Sequence, residues 1–345
     1  MSKMWCPADK RHPVSLWGRS RSGAQRFRCR VCGTTFTRKR PYISKRNRFP
    51  WFKKWIRGMS AAEIAQLARC SSKTVKRTIR WYLDHPPMPS PIPIPNSNCH
   101  LIIDGTWFDR GSCSLVYWDH DREHAQRWRY TTGERAFEVL EDLRRLKEEG
   151  VIPASVTSDG ARGIVAAVSI AYPDIPHQRC ITHLQRQCLA LITQKPRHQA
   201  GKEIKKIVQE LSRVTSHELK GQWLGRFNGW CYQWDNYLGE KTYVEDLKDL
   251  PEEELRHKAR GRKWWYTHAS LRRVRAAITN AIPDLFHYLD DPTIPKTSNG
   301  LEGRFSSFKR HYRSHCGLSR RRREAYVSWY LTIVVNGKTP TRFVL

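Results

Sequence analysis

The sequence predicts an α/β protein with a mixed central sheet, and the order of its elements carries that prediction. Three stretches are rich in apolar, aromatic and branched residues, and they span 99–108, 113–119 and 124–132. Short polar turns separate them, which predicts three adjacent antiparallel strands. An amphipathic helix at 134–149 leads to a further strand at 151–160 and a helix at 161–171. A short strand at 175–180 precedes a helix from about Thr182. Strands that alternate with helices in this way favour parallel pairing beside the antiparallel strands.

The charge balance predicts a polyanionic partner. The chain of 345 residues carries 62 lysines and arginines against 32 aspartates and glutamates, a formal net charge of +30. The excess is concentrated at the front, where residues 1–95 contain 22 basic and three acidic side chains. Because the sequence has no run of about 18 apolar residues and no apolar signal core, we expect a soluble intracellular protein with no membrane partner. Nucleic acid is therefore the leading candidate partner.

A cysteine-containing segment near the start of the chain has the spacing of a small zinc ribbon. Cys29 and Cys32 stand two residues apart on a tight turn, and Cys6 precedes them. A closed structural zinc site needs four ligands. The position three residues after Cys6 is Asp9 rather than a second cysteine, so Asp9 or His12 is the candidate fourth ligand. The alternative is a metal-free basic hairpin. The ten cysteines of this large chain predict a reducing compartment rather than disulfides.

Residues 55–80 predict a helix-turn-helix. Ser60 and Glu63 can form a capping box ahead of a first short helix, and Ser71 or Ser72 can cap a second helix. The predicted inward residues of the two helices are Ile64, Leu67, Ala68, Val75 and Ile79. The second helix is predicted to expose four basic residues toward a major groove and its phosphates, namely Lys73, Lys76, Arg77 and Arg80. A plain solvated helix is the alternative, but capping, apolar spacing and charge agree on DNA binding.

The chain is predicted to divide into a DNA-binding front, a linker and a larger core. The prolines of 86–95 remove backbone donors and fix φ, so neither a helix nor an inner strand can run through them. The predicted segments are a zinc-ribbon-like basic knuckle at 1–45, a helix-turn-helix domain at 46–85, a proline-rich linker at 86–98, a first part of the core at 99–195, a helical insertion at 196–296 and C-terminal core helices at 297–345.

Two strands of the predicted core end in an aspartate. Asp104 closes the apolar run of the first strand, and Asp159 closes the fourth strand. The order of three strands, helix, strand, helix and strand is that of a ribonuclease H-like fold, in which the first and fourth strands lie side by side. The two carboxylates could then share a divalent metal. A single aspartate at a strand end is more often a turn former, so the prediction depends on the pair.

The rest of the chain predicts an inserted helical domain and a late glutamate. The tryptophans of 196–296 are predicted to pack in its core, whereas the cations and aromatics that alternate over Lys258–Tyr266 could contact DNA ends. The helix predicted from about residue 297 carries an apolar stripe of Leu301, Phe305 and Phe308, and Glu302 stands beside it. Glu302 could therefore reach the two aspartates across the sheet. An ordinary glutamate in a first helical turn is the alternative.

These residues together resemble transposases of the DDE class, and most closely the Mutator-like group of bacterial insertion sequences. The resemblance rests on Asp104 in LIIDGTWF, Asp159 in SVTSDGARG, the run RCITHL over 179–184, and NGLEGR over 299–304. It covers about residues 99–335, and the front end has the knuckle and helix-turn-helix layout of some relatives. Cys180 and His183 match the Cys-x-x-His marker of that superfamily. We expect them to have a structural or accessory role, because no second Cys/His pair lies nearby in sequence to complete a zinc site.

The resemblance implies a catalytic site and its partners. Asp104, Asp159 and Glu302 would be the catalytic residues and would hold two Mg²⁺ or Mn²⁺ ions, and a structural Zn²⁺ in the knuckle is a further predicted cofactor. The basic residues predicted to contact DNA near Glu302 are Arg304, Lys309, Arg310 and Arg313. The implied partners are double-stranded terminal repeats, target DNA and a second copy of the chain, in the bacterial cytoplasm at the nucleoid. The alternatives are a non-catalytic DNA-binding regulator derived from a transposase, and a nuclease of the same fold that cuts without joining.

Overall fold

The computed structural model describes residues 5–21, 23–37, 48–93, 99–109, 111–247, 253–254, 259, 261–315 and 317–337. The strands are β1 Val14–Arg19, β2 Gln25–Cys29, β3 Thr35–Thr37, β4 His100–Asp109, β5 Ser112–Asp119, β6 His124–Thr131, β7 Ser155–Ser158, β8 His177–Arg179, β9 Lys241–Tyr243 and β10 Trp264–Tyr266. The larger helices are α1 Phe49–Ile56, α2 Ala61–Leu67, α3 Ser72–Leu83, α4 Ala136–Glu148, α5 Arg162–Ala171, α6 Ile181–Leu191, α7 Gln199–Glu210, α8 His217–Gln233, α9 Asp235–Gly239, α10 Ala269–Ala281, α11 His287–Asp290, α12 Asn299–Arg313 and α13 Arg320–Tyr330.

A five-stranded mixed sheet forms the centre of the chain. Its strand order is β6-β5-β4-β7-β8, with β4, β5 and β6 antiparallel and with β4, β7 and β8 parallel. Helix α4 connects β6 to β7, and α5 connects β7 to β8. The predicted mixed α/β architecture and its element order are confirmed. The assignment to the ribonuclease H-like fold stays a prediction.

The two faces of the sheet are covered by different helices, because successive side chains of a strand point to opposite faces. Leu101 and Ile103 of β4 belong to one buried cluster with residues of α4 and α5. Ile102 belongs to a second cluster with residues of α12 and α13. Within α4, Leu143 and Leu146 are buried as the helical spacing predicts. Asp104 is two residues after Ile102 on β4, so its side chain points to the same face of the sheet, the one covered by α12.

The three front helices pack directly on the core rather than standing apart from it. The rings of Phe52 and Trp329 lie 5.1 Å apart, and Trp329 of α13 donates its indole N–H to the carbonyl of Tyr82 at 2.8 Å. Tyr326 of α13 donates its hydroxyl to the carbonyl of Ile56 at 3.0 Å. The buried cluster on this side therefore runs without a break from α1–α3 to α13. Of the prolines of the predicted linker, those in 86–93 are described and lie in neither helix nor strand, and Pro95 lies outside the described residues.

The helices of 196–296 share a buried cluster with α6. Trp223 and Trp230 are buried in it and donate their indole N–H groups to the carbonyls of Ile207 and Ala200, which confirms that they are core residues. In the segment Lys258–Tyr266, residues 258 and 260 lie outside the described part of the chain. Among the described residues, no helix is both long and apolar enough to cross a lipid bilayer.

Candidate active site and metal centres

Asp104 and Asp159 lie beside each other because of the strand register. The parallel pairing of β4 and β7 ends with Ile103 opposite Ser158, and each aspartate is the next residue in its chain. Asp104 is only 5% exposed, and its Oδ1 accepts the N–H of Gly105 at 2.9 Å. Asp159 is half-buried, and its Oδ1 accepts the N–H of Ala161 at 2.8 Å. The two carboxylates therefore come from adjacent strands, as the sequence predicts, but Asp104 lies in the middle of β4, which continues to Asp109, so the prediction that this strand ends at Asp104 is wrong.

Glu302 reaches the same place from the first turn of α12. The apolar stripe predicted for that helix is buried, with Leu301 at 1% exposure and Phe305 and Phe308 also in the core. Asp104, His183 and Glu302 form a group whose candidate ligand atoms all lie within 4.8 Å of one another. Asp159 is outside that group, but its charge acts on Asp104. The structure thus brings Asp104 and Glu302 together, with Asp159 as an electrostatic neighbour.

Cys180 and His183 connect α6 to the start of α12. The Nδ1 of His183 lies 3.3 Å from the Cys180 sulfur and 3.2 Å from the Ser298 hydroxyl. The same sulfur accepts the backbone N–H of Ser298 at 3.3 Å. Both Cys180 and Ser298 are fully buried. Because Ser298 immediately precedes α12, this network connects the start of α6 to the start of the helix that carries Glu302.

The charges in this network are coupled. Burial would raise the pKa of the Cys180 thiol, but its hydrogen bonds with His183 and Ser298 outweigh burial and lower that pKa. The hydrogen bond to Cys180 is also the largest cause that raises the pKa of His183 to about 9. His183 is then an imidazolium at neutral pH, and its Nε2 lies 3.4 Å from Oε1 of Glu302. This contact places the His183 imidazole directly beside the Glu302 carboxylate.

Three residues at the site were missed by the sequence analysis as site residues. Arg186, one turn after His183 on α6, places Nη1 2.7 Å from both carboxylate oxygens of Glu302. Arg179 passes over Gly160, where a Cβ would overlap its guanidinium, and its charge acts on Asp159. Glu134 precedes α4, and burial, then the charges of Asp159 and Asp104, raise its pKa to about 7. The helical spacing from His183 to Arg186 was a usable signal. For Glu134 the sequence offers no signal beyond a helix start.

The burial of Asp104 predicts that the free energy of unfolding of the metal-free protein depends on pH. Burial raises the pKa of Asp104 from 3.8 to about 6, opposed by the charge of His183 and assisted by the charges of Asp159 and Glu302. For an acid whose folded pKa is raised, the stabilising contribution is complete below the unfolded pKa and is lost as the pH rises through the folded pKa. At pH 8 in EDTA, we expect Asp104→Asn to be more stable than wild type by up to about 3 kcal/mol, since one pKa unit corresponds to about 1.4 kcal/mol.

Urea unfolding of both proteins at pH 4, 6 and 8 measures this effect. The difference between them should shrink toward pH 4, because the wild-type carboxyl is protonated in the folded state there and partly protonated in the unfolded state. A destabilisation by Asp104→Asn that is the same at all three pH values would contradict the electrostatic explanation. Asp174→Asn, an exposed aspartate on the loop after α5, is the matched control.

A second cluster lies in the N-terminal sheet β1-β2-β3. Candidate ligand atoms of Cys6, His12, Cys29 and Cys32 all lie within 4.8 Å of one another, and the sulfurs of Cys6 and Cys32 are 3.5 Å apart. The backbone N–H groups of Val31 and Cys32 point at the Cys29 sulfur at 3.4 and 3.3 Å. Three cysteines and one histidine are a ligand set of structural zinc sites. The described cysteines form no disulfide.

The fourth position of this cluster is His12, and Asp9 is engaged elsewhere. The Oδ2 of Asp9 accepts a hydrogen bond from Nη2 of Arg11 at 2.8 Å. The Nδ1 of His12 is buried and has no hydrogen-bond partner among the described residues. A buried polar atom without a partner is unusual in a protein, and coordination of a metal ion would satisfy it. Hydrogen bonds with Thr34 are the largest cause that lowers the pKa of Cys32 to about 6. The Cys32 thiol can therefore lose its proton near neutral pH, and the thiolate is the form that binds metals.

The predicted DNA-binding residues differ in how exposed their side chains are. On α3 all four basic residues are exposed, Val75 and Ile79 are buried, and Ser60 and Ser71 cap α2 and α3 as predicted. Leu67, predicted to face inward, is 63% exposed, so that prediction is wrong. On α12, Arg310 and Arg313 are exposed and Lys309 is half-buried. Arg304 instead pairs with Glu123 at 2.9 Å and stacks 4.5 Å above the ring of Trp118.

Comparison with known proteins adds one match. A family model described as Transposase, Mutator family matches residues 116–244 of the chain. The matched part runs from β5 to β9 and contains Asp159, Cys180 and His183, while Asp104 and Glu302 lie outside it. No curated protein matches the chain. The chain is thus similar to Mutator-family transposases over its central part, and this supports a transposase function.

Proposed function

We propose that this chain is a DDE transposase that binds the terminal repeats of its element and catalyses metal-dependent DNA cleavage and strand transfer. The observation that carries the proposal is the convergence of Asp104 and Glu302, which are far apart in sequence, within 4.8 Å. Asp159 at the neighbouring strand end and the match to Mutator-family transposases support it. The chain would act on double-stranded terminal repeats and target DNA, as a homodimer or larger assembly, in the bacterial cytoplasm.

The donor set suits hard divalent cations. Carboxylate oxygens are the ligands that Mg²⁺ and Mn²⁺ prefer, and Asp104, Asp159 and Glu302 would hold two such ions. When bound, the ions would stabilise the charge that develops on the attacking and leaving oxygens. The raised pKa of Asp104 fits this assignment, because burial and the charges of Asp159 and Glu302 disfavour its carboxylate form, which a bound cation would stabilise.

The remaining residues of the site would position groups and bind phosphate. The network of Cys180, His183 and Ser298 would keep Glu302 oriented toward Asp104. Arg179, next to Asp159, places a cation where a DNA phosphate could approach. The reaction itself exchanges phosphodiester bonds: water attacks the phosphorus and releases a 3′-hydroxyl, and that hydroxyl then attacks a target phosphodiester. No covalent bond between protein and DNA is needed.

We also propose that the N-terminal cluster holds a structural Zn²⁺. The donors would be Cys6, His12, Cys29 and Cys32, and the unpartnered Nδ1 of His12 supports that set. A bound zinc would hold the three-stranded sheet together, because the sheet has little core apart from the stacked rings of Phe27 and Phe36, 5.9 Å apart. The basic knuckle would then present its charges to DNA from a rigid frame.

The exposed face of α3 is proposed to contact the terminal repeats. We expect the double substitution Lys76→Ala/Arg77→Ala to weaken binding by about 10-fold or more at 0.15 M salt and to reduce the slope of log K against log salt by about one per lost phosphate contact. The substitutions leave the buried residues Val75 and Ile79 untouched, so the fold should persist. Fluorescence anisotropy with a labelled terminal-repeat duplex at several salt concentrations measures both quantities.

The control for this experiment is Lys202→Ala, an exposed lysine on α7 of the insertion. An unchanged affinity and salt slope in the double variant would remove α3 from the interface. Deletion of residues 1–85 is a poorer test, because it would expose the ring of Trp329 and the rest of the shared cluster.

A single assay separates the proposal from its alternatives. The full chain is incubated with Mg²⁺, labelled terminal-repeat DNA and a target plasmid, and the products are resolved on a denaturing gel. Joined products support a transposase. Cut products without joining would identify a nuclease, and binding without either would identify a DNA-binding regulator, so both outcomes would overturn the proposed function.

A further inference from the structure

We propose that Glu134 is a fourth carboxylate of the divalent-metal site, brought to Asp104 and Asp159 by the loop between β6 and α4. This inference rests on the proposed function, because it assigns a further residue to the site defined there. It is carried by two glycines that make room for Glu134 and by the distribution of charge around Asp104.

The first glycine admits the Glu134 side chain. Gly105 directly follows Asp104 on β4, and a Cβ added there would overlap Oε1 of Glu134. The carboxylate of Glu134 therefore occupies the space that any other residue at 105 would fill. Cys113 of β5 lines the same space: its sulfur would lie 3.0 Å from that Cβ, and the charges of Glu134, Asp104 and Asp159 all act on it.

The second glycine admits the Glu134 backbone. Gly163 lies in the first turn of α5, four residues after Asp159, and a Cβ there would overlap the carbonyl oxygen of Glu134. Helix α5 can pack this closely only because residue 163 has no side chain. The segment that carries Glu134 is therefore fixed against the segment that carries Asp159. Gly163 therefore fixes the backbone of Glu134, and Gly105 leaves space for its carboxylate.

The charged groups around Glu302 differ from those around Glu134, and Asp104 lies near both glutamates. Glu302 has two cationic partners, since Arg186 contacts both of its oxygens and His183 approaches one of them. For Glu134 the strongest charge interactions are with Asp159 and Asp104, both repulsive, and only His183 opposes them. Neighbouring carboxylates that repel one another are a suitable donor set for a hard cation. Glu134 would therefore share one cation with Asp104 and Asp159.

The test is Mn²⁺ binding by the full chain, without DNA, measured by titration calorimetry at pH 8. We expect Glu134→Gln to weaken the tightest Mn²⁺ binding by about 10-fold or more, as the loss of one oxygen donor should. Gly105→Ala should weaken it as well, because the added methyl group displaces the Glu134 carboxylate. The double variant should be no worse than Glu134→Gln alone, since both changes remove the same donor. Glu148→Gln, an exposed glutamate at the end of α4, is the matched control and should bind as wild type does.

Two further measurements make the outcome unambiguous. In EDTA, Glu134→Gln should unfold at the same temperature as wild type or higher, because it removes a repelled charge. Weaker Mn²⁺ binding together with a lower unfolding temperature would indicate a structural role and overturn the inference. Unchanged Mn²⁺ binding in Glu134→Gln, with binding lost in Asp104→Asn and Asp159→Asn, would also overturn it while leaving the proposed function intact. Wild-type Mn²⁺ binding in Asp104→Asn would instead refute the proposed metal site.

Discussion

Replacing Asp104 with asparagine is expected to reduce both DNA cleavage and strand joining by on the order of 10³-fold or more, since a lost metal site removes about 4 kcal/mol of transition-state stabilisation. Asp104 has this effect because it is the carboxylate common to Glu302 on one side and Asp159 on the other. Asparagine keeps the size of the side chain and its buried position on β4. Terminal-repeat binding should therefore stay near the wild-type level, because α3 lies elsewhere in the fold.

The measurement is the rate of 3′-end formation and of joining in Mg²⁺, alongside the dissociation constant for the same duplex. Asp174→Asn, an exposed aspartate, should retain full activity and controls for the loss of one negative charge. Cleavage by Asp104→Asn at a rate within about 10-fold of wild type would rule out a ligand role for this residue, because that difference is only about 1.4 kcal/mol.

Replacing Cys29 with serine is expected to abolish zinc binding and to unfold the N-terminal sheet. Cys29 is buried, receives two backbone N–H groups on its sulfur, and ends β2, so its thiolate would be the central ligand of the cluster. Apparent binding energies of structural zinc are on the order of 10 kcal/mol, so the loss of one ligand should be decisive for a sheet this small. Zinc content by atomic emission should fall from about one ion per chain to near zero.

Limited proteolysis is the companion measurement for the Cys29→Ser variant. Cleavage within 5–37 should become rapid, while the central sheet stays protected. Cys231→Ser, a half-buried cysteine of the insertion, should keep its zinc and its protease resistance. A wild-type protein that contains no zinc after growth in zinc-supplemented medium would instead favour the metal-free hairpin, held by the stacked pair of Phe27 and Phe36.

The sequence predicted those parts of the fold that depend on local patterns. The strands around Asp104 and Asp159 follow from their apolar runs, and the order of elements along the chain follows from the alternation of helical and strand patterns. Local periodicity was less reliable for individual side chains. Phe137 fits the helical spacing of α4 but is 65% exposed, because the buried face of the helix begins with Val139 and Phe137 points away from it.

The candidate site was predicted in part, and the missing part has a physical explanation. Glu302 was chosen through a family resemblance, since nothing in its own helix distinguishes it from another glutamate in a first turn. Arg186 and Glu134 were missed because their roles depend on partners distant in sequence. The N-terminal cluster left two candidates for its fourth ligand, and only the path of the chain before β1 brings His12 rather than Asp9 to the sulfurs.

By itself, the sequence determined which segments form strands and helices, where the positive charge is concentrated, and that two of the strand segments carry Asp104 and Asp159. These properties follow from neighbouring residues, whose spacing can be read along one segment. Only the tertiary structure decided that Cys180 and His183 hold the helix of Glu302, that the front helices share a core with α13, and that Gly105 and Gly163 admit Glu134. Each of these is a contact between distant segments, and such contacts are set by packing and by burial of charge rather than by local spacing.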